Sequence, residues 1–213
     1  MADTLYYTPG SGNSFKPALV LHQTRRACAM HPIDVLGGEN RKPEFLRINP
    51  RGQLPYLVLG DGRGLGESNA IAWYLAEGSR LMPVDPMARA QAIQWMIFEQ
   101  TSLEPNISPA RFFTHIVPQL RAEHAADFPR WLEQGSRALR QLDDFLSRRQ
   151  FITDHGYSVA DIAVFGYTHL AAQGGFALER YPAVRDWMQR VRSMPNYADI
   201  DLLLLPRAAG AAA

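Results

Sequence analysis

The chain has 213 residues, 46% of them hydrophobic and 20% charged, with a formal net charge of +1. That length accommodates one or two domains with a sizeable core, and the near-neutral balance excludes a global pull toward nucleic acid or anionic membrane. A single cysteine, Cys28, excludes an internal disulfide and any Cys-x-x-Cys motif, and no apolar run reaches membrane-spanning length.

The first eighty residues alternate between strand and helix signals. Leu5-Tyr6-Tyr7 reads as a strand ended by Pro9-Gly10-Ser11-Gly12. Residues 15–26 have helical spacing, and Pro32-Ile33-Asp34-Val35 reads as a short strand. Pro43-Glu44-Phe45-Leu46 is one helical turn, stopped by Asn49-Pro50. Tyr56-Leu57-Val58-Leu59 and Gly64-Leu65 form strands around the turn Gly60-Asp61-Gly62, and Ser68 opens a third helix. The order βαβαββα predicts an α/β domain over residues 1–80. A Gly, Ser and Pro cluster at residues 78–86 marks a break.

Beyond the break nothing reads as strand. Residues 88–115, 129–148, 158–171 and 182–191 space their apolar side chains as helices do, so residues 87–205 read as an all-helical domain. Pro105 and Pro109 should bend or locally break the first of these helices, because each removes a backbone donor. Ser158-Val159-Ala160-Asp161 is a capping signal with a structural role, Asp standing where Glu is usual. The small residues at 208–213 read as a frayed tail. A chain that runs from Met1 straight into a strand signal carries no leader, so a reducing cytoplasm is the expected setting.

The segment most telling for function is Asn49-Pro50-Arg51-Gly52-Gln53-Leu54-Pro55, followed twelve residues later by Glu67-Ser68. Leu54 can present its N–H and C=O as a strand-like edge. The helix start at Ser68 offers unpaired N–H groups and positive dipole to a carboxylate, and the Glu67 carboxylate suits an ammonium. Glutathione carries a carboxylate and an ammonium at one end and a thiol in the middle. An ordinary helix N-terminus would also explain Glu67-Ser68 alone, but not its pairing with Gln53-Leu54-Pro55.

An α/β layer with Asn-Pro-x-Gly-Gln-x-Pro and Glu-Ser, followed by a helical domain with Ser-x-Ala-Asp, resembles the cytosolic glutathione transferases over nearly the whole chain. The stretch Glu99-Gln100-Thr101-Ser102-Leu103-Glu104-Pro105, with Ala110-Arg111-Phe112, resembles a bacterial, serine-type-like branch. The resemblance implies a thioredoxin-like N-terminal domain, a helical C-terminal domain and a homodimer. It further implies glutathione as co-substrate, a cis Leu54–Pro55 bond beside the cysteinyl unit, and Glu67 and Ser68 on the γ-glutamyl end. Asn40 and Arg41 lie where related proteins carry residues for the glycine end.

A free thiol ionises near ~8.5, so lowering a bound glutathione by two units takes roughly 2.7 kcal/mol of thiolate stabilisation. The loop Pro9-Gly10-Ser11-Gly12-Asn13-Ser14-Phe15-Lys16 is where the donors should stand. Ser11 matches the serine that follows Pro-Gly in serine-type members. Counting back from the helix selects Asn13 or Ser14 instead, and Tyr7 matches the tyrosine-type members. No cysteine occupies this loop, which argues against members that form a mixed disulfide through their own thiol; Cys28 reads as a small apolar filler.

Thr101, Glu104, Ser108 and Arg111 recur at three- or four-residue spacing and form one polar stripe. By the resemblance this helix faces the glutathione sulfur, where Arg111 would orient an acidic or electron-poor electrophile. A solvated helix face accounts for the same spacing. No His-x-x-x-His pair or nucleotide loop is present, so neither metal nor nucleotide is expected. The expected function is conjugation of glutathione to a small electrophile. The alternatives are glutathione-dependent disulfide or peroxide reduction without a protein cysteine, and a non-catalytic binding protein of the same fold.

Overall fold

The computed structural model describes residues 2–205; the small-residue tail lies outside them. The chain divides into two units, one of residues 1–77 joined by those from Pro195 onward, the other of residues 78–194. The helical domain read from sequence as 87–205 thus gives up its last segment to the first unit. The reason is packing: the last helix, α9 (Ile200–Leu204), buries Leu204 and contacts the first helix.

In the first unit the order is β1 (Thr4–Tyr7), α1 (Gly12–Thr24), β2 (Ala29–Pro32), α2 (Pro43–Ile48), β3 (Tyr56–Val58), β4 (Gly64–Leu65) and α3 (Ser68–Ala76). The sheet runs β2-β1-β3-β4, with β1 and β2 parallel and the other pairs antiparallel. This is the thioredoxin-like arrangement expected of βαβαββα. Leu5 and Leu57 face each other across β1 and β3, and both are fully buried beside Phe15, Leu19 and Ile71 of α1 and α3. Two boundaries differ from the sequence reading. Helix α1 begins three residues early because Ser11 caps it, its Oγ accepting from Ser14 N–H at 3.2 Å. Strand β2 lies at 29–32 rather than 32–35; every residue of this edge strand is exposed, so no apolar alternation marks it.

The second unit is built from α4 (Pro86–Phe98), α5 (Glu104–Arg111), α6 (Phe128–Leu146), α7 (Val159–Thr168) and α8 (Pro182–Arg192). Pro105 and Pro109 do not break the helical path. Wider π turns at Glu99–Leu103 and Phe112–Ile116 flank α5 instead, with Glu104 N–H reaching Glu99 C=O. Asn106 Nδ2 bonds the Ser102 carbonyl at 2.8 Å and offsets part of the lost backbone pairing. The capping box forms as read. Asp161 is fully buried and accepts from Ser158 N–H (2.9 Å) and Ser158 Oγ (3.2 Å) on one oxygen. Its other oxygen accepts from Ile152 N–H (3.0 Å) and Trp187 Nε1 (2.9 Å), so one carboxyl joins three segments of the unit.

Candidate functional site

In the first unit, the ends of α1 and α3 and the turn before β3 carry the polar groups of interest. The Leu54–Pro55 bond is cis, and Pro55 is buried. The bend leaves Leu54 half-buried, and its N–H and C=O make no hydrogen bond among the described residues. An unpaired main-chain edge of this kind fits an extended peptide. The turn is held from below. Asn49 Nδ2 bonds the Gln53 carbonyl at 2.7 Å, and its Oδ1 accepts from Arg51 N–H at 3.2 Å. Buried Asn40 donates to the Gly52 carbonyl at 2.8 Å. Asn40 is therefore a brace of this turn, one of its two amide hydrogens given to the backbone. Arg41 is exposed and reaches the Arg51 carbonyl only at 3.5 Å. Gln53 has an exposed side chain.

Helix α3 starts without a side-chain cap, so its first N–H groups remain for an incoming anion. Glu67, at the cap position, has φ 64°, a conformation that L residues rarely adopt. Its exposed carboxylate pairs with Arg51 at 3.1 Å, an interaction that residue spacing did not indicate. Ser68 is buried, and its Oγ donates to Asn13 Oδ1 at 3.1 Å. Lys16 completes the group: fully buried, it donates from Nζ to Asn13 Oδ1 at 3.0 Å and to Ser68 Oγ at 3.4 Å. Asn13 Oδ1 thus faces two donors, which fixes the side-chain amide and turns Nδ2 away from them.

The three loop candidates for the thiol donor separate. Ser14 is fully buried and accepts from Thr8 N–H at 3.0 Å, so its hydroxyl ties the loop to the strand. Ser11 is half-buried; its Oγ accepts from the Ser14 N–H, and its own O–H remains a donor. Asn13 is also half-buried and is the one joined to Ser68. Tyr7 is a buried strand residue. Lys16 was readable in the loop, but no local signal marks it for burial.

In the second unit the expected polar stripe divides. Thr101 is exposed and bonds back to the Ile97 carbonyl at 2.9 Å, while Glu104 is half-buried. Ser108 donates to the Tyr167 hydroxyl at 3.0 Å, and Arg111 Nε donates to Gln173 Oε1 at 2.6 Å. Arg111 is buried, which rules out a merely solvated face at that position. Burial pushes the Tyr167 phenol up to about 12, against the lowering effect of its Ser108 hydrogen bond. Tyr167 and Gln173 come from distant sequence and carried no signal of their own. Among the described residues no cluster of three or more His, Cys, Asp or Glu is arranged to hold a metal, and no helix is long and apolar enough to cross a membrane.

Family comparison fits this geometry. Residues 5–80 match the glutathione S-transferase N-terminal domain and residues 103–195 the C-terminal domain. The chain belongs to the glutathione S-transferase family. The disulfide-bond oxidoreductase YfcG of Escherichia coli is 30% identical over 198 residues, 90% of each chain. A possible glutathione S-transferase from Rhodopseudomonas palustris is 42% identical, with a TM-score of 0.92 over 98% of this chain and 93% of that one. A glutathione transferase from Pseudomonas putida, solved with one glutathione disulfide bound per subunit, is 25% identical, with a TM-score of 0.83 over 96% and 91% of the chains.

Proposed function

We propose that this member of the family is a glutathione transferase that ionises the thiol of glutathione and conjugates it to a small electrophile. The observation that carries the reading is the 3.1 Å hydrogen bond from Ser68 to Asn13, which couples an anion-accepting helix start to the thiol-facing loop. In this reading the Leu54 edge pairs with the cysteinyl unit. The α3 N-terminus and Ser68 receive the γ-glutamyl carboxylate, and Glu67, shared with Arg51, receives the ammonium. Arg41 stands nearest in kind to the glycine carboxylate. The Ser11 hydroxyl and the Asn13 Nδ2–H donate to the sulfur, the proton leaves to water, and the thiolate attacks carbon, forming the C–S bond as the carbon–leaving-group bond breaks and the leaving group, chloride for a chloroarene, departs with its electron pair. The electrophile is read by Ser108 and Arg111, with Thr101 and Glu104 as flanking polar groups. Binding both reactants replaces a bimolecular encounter with a positioned one.

A specific observation favours a second reaction on the same thiolate. A relative at 30% identity is named a disulfide-bond oxidoreductase, and here no cysteine stands in the α1 loop. The thiolate would then attack a disulfide sulfur, releasing the other sulfur as a thiol and leaving a mixed disulfide for a second glutathione. The deciding experiment titrates glutathione thiolate absorbance against pH on the wild type, Ser11→Ala and Asn13→Ala, then supplies a chlorodinitrobenzene and hydroxyethyl disulfide in parallel. A depressed thiol pKa that returns toward the free value in one variant, with conjugate formation, supports the transferase and names the donor. Turnover of the disulfide alone selects the reductase. Absence of glutathione binding overturns both. The homodimer and cytoplasmic setting belong to the same proposal; a monomer mass by light scattering would reject the former.

A further inference from the structure

The proposed reaction leaves Lys16 without a task. Its side chain is fully buried, and burying an amine is unfavourable unless acceptors surround it. It also lies near the N-terminal end of α1, where the helix dipole disfavours a cation. Neither capping nor loop closure calls for it. Ser11 caps α1 through the Ser14 N–H, and the Ser14 hydroxyl ties the loop to the Thr8 N–H. A lysine kept at such a position, where other groups already secure the backbone, is explained by what its head group touches.

The two ends of an asparagine amide have nearly the same shape, so hydrogen bonding decides which end faces where. A hydroxyl both donates and accepts, so Ser68 alone would suit either end of Asn13. A protonated lysine only donates. Lys16 Nζ lies 3.0 Å from Asn13 Oδ1 and 3.4 Å from Ser68 Oγ, and Ser68 Oγ lies 3.1 Å from the same Asn13 oxygen. Lys16 thus selects oxygen as the end of the amide that faces it and leaves Nδ2 as the opposite, donor end. When Ser68 turns its proton to an incoming carboxylate, Lys16 stays on the Asn13 oxygen and the orientation survives. Donation to that oxygen also polarises the amide, which strengthens its N–H as a donor. Few other charges compete. Besides Lys16, α1 carries the exposed His22 near its far end. Of the helices packed on α1, α3 carries no charged side chain and Tyr74 as its titratable one, and α9 carries the exposed Asp201. Glu67, just ahead of α3, is paired with Arg51.

We infer that Lys16 is a positioning residue for thiol ionisation: it holds the Asn13 amide with its Nδ2–H toward the glutathione sulfur and does not touch the sulfur itself. The inference rests on the proposed glutathione reading, in which Asn13 is one of the donors to sulfur. It adds the residue that decides whether Asn13 presents a donor or an acceptor there. An acceptor turned to the sulfur would oppose the thiolate instead of stabilising it.

The test reads thiolate absorbance against pH at saturating glutathione, so that changes in affinity drop out, with the S-methylglutathione complex as blank. Wild type, Lys16→Met, Asn13→Ala and the double variant close a cycle. Met is nearly as long as Lys and has no donor. Saturable binding of S-methylglutathione, whose sulfur carries no proton, shows that each variant keeps its site. Lys16→Met should lower the ratio of bound thiolate to thiol about tenfold at fixed pH, the lower end for a hydrogen bond to a charged group. The double variant should match Asn13→Ala within about twofold, because Lys16 acts through Asn13. If Asn13→Ala lowers the ratio and Lys16→Met does not, the inference is overturned and the glutathione reading stands. Effects that multiply in the double variant also overturn it, since the lysine would then act on the sulfur by its charge alone. An Asn13→Ala ratio equal to wild type, or no glutathione binding by wild type, overturns the reading and the inference with it. For the case that Lys16→Met does not fold, the wild type supplies a second measurement. The Asn13 Nδ2 protons, assigned by their loss in Asn13→Ala, should shift in the nuclear magnetic resonance spectrum along with the thiolate titration and stay still in the S-methylglutathione complex. Signals that behave alike in both complexes mean that Nδ2 does not face the sulfur, which overturns the inference.

Discussion

Removing the Ser68 hydroxyl is the sharpest test of the coupled site, because its structural cost is small and its binding cost is not. In Ser68→Ala, Asn13 Oδ1 keeps its 3.0 Å bond from Lys16, and Lys16 keeps Asn13, so neither Asn13 Oδ1 nor Lys16 Nζ is left bare. The fold should lose less than about 1 kcal/mol, the net worth of one neutral hydrogen bond. For glutathione the balance differs. The single Ser68 proton, given to Asn13 Oδ1 in the free protein, turns to the γ-glutamyl carboxylate on binding, and exchanging a neutral bond for a charge-assisted one contributes a net of about 1–2 kcal/mol, so the dissociation constant should rise roughly 5- to 30-fold. Isothermal titration of glutathione into the wild type, Ser68→Ala, Asn13→Ala and the double variant closes a cycle. Because the two side chains share a 3.1 Å hydrogen bond, the single effects should fail to add by about 0.5–1.5 kcal/mol. A Ser68→Ala dissociation constant within threefold of wild type, or strict additivity in the cycle, would refute the reasoning.

Four further outcomes follow from three groups elsewhere in the chain. Asp161→Ala strands the Ile152 and Ser158 N–H groups and the Trp187 indole N–H, and should cost at least about 4 kcal/mol in urea unfolding. Burial raises the Asp161 carboxyl from 3.8 to about 6, against its four donors. Its folded pKa therefore exceeds its unfolded one, so the stability it contributes is full below about pH 4 and is lost as pH rises through about 6. That span corresponds to about 3 kcal/mol, and Asp161→Ala should lack the slope in a pH series of unfolding curves. Tyr167→Phe should leave the ultraviolet phenol titration below about pH 11 unchanged, since the buried Tyr167 ionises only near 12. Asn40→Ala should destabilise by about 1–2 kcal/mol in thermal unfolding, because it removes the 2.8 Å brace on the Gly52 carbonyl.

What sequence revealed and what it concealed divide along a physical line. The Ser158–Asp161 cap, the Ser68 helix start and the Leu54–Pro55 turn are local devices, set by residues a few positions apart, and all three stand where the residue pattern put them. Strand β2 was misplaced by three residues because an edge strand exposed throughout has no apolar period to read. Lys16 was illegible for a different reason. A lysine in a polar loop signals solvent, and its burial is offset by groups such as Asn13 Oδ1 and Ser68 Oγ, the second fifty-two positions away and beyond the reach of a local pattern. Asn40 failed likewise: its partner is a backbone carbonyl, and backbone carbonyls are invisible to residue patterns. Arg111 lay on a stripe that suited solvent and substrate equally, and its burial against Gln173 came from the return of the chain after α7.

Glu67 holds a positive φ of 64° without being glycine. Each such residue stores strain of order 1–3 kcal/mol that the rest of the fold must offset. Elsewhere the chain uses glycine for this conformation, as at Gly10, Gly38, Gly52 and Gly62, so the left-handed region is open to it at no such cost. Glu67 stands at the uncapped start of α3. Glu67→Gly should therefore move two quantities in opposite directions: a higher midpoint in thermal unfolding, because glycine accepts this φ without strain, and weaker glutathione binding in isothermal titration. A gain in stability with binding intact would mean that the strain serves the chain path alone.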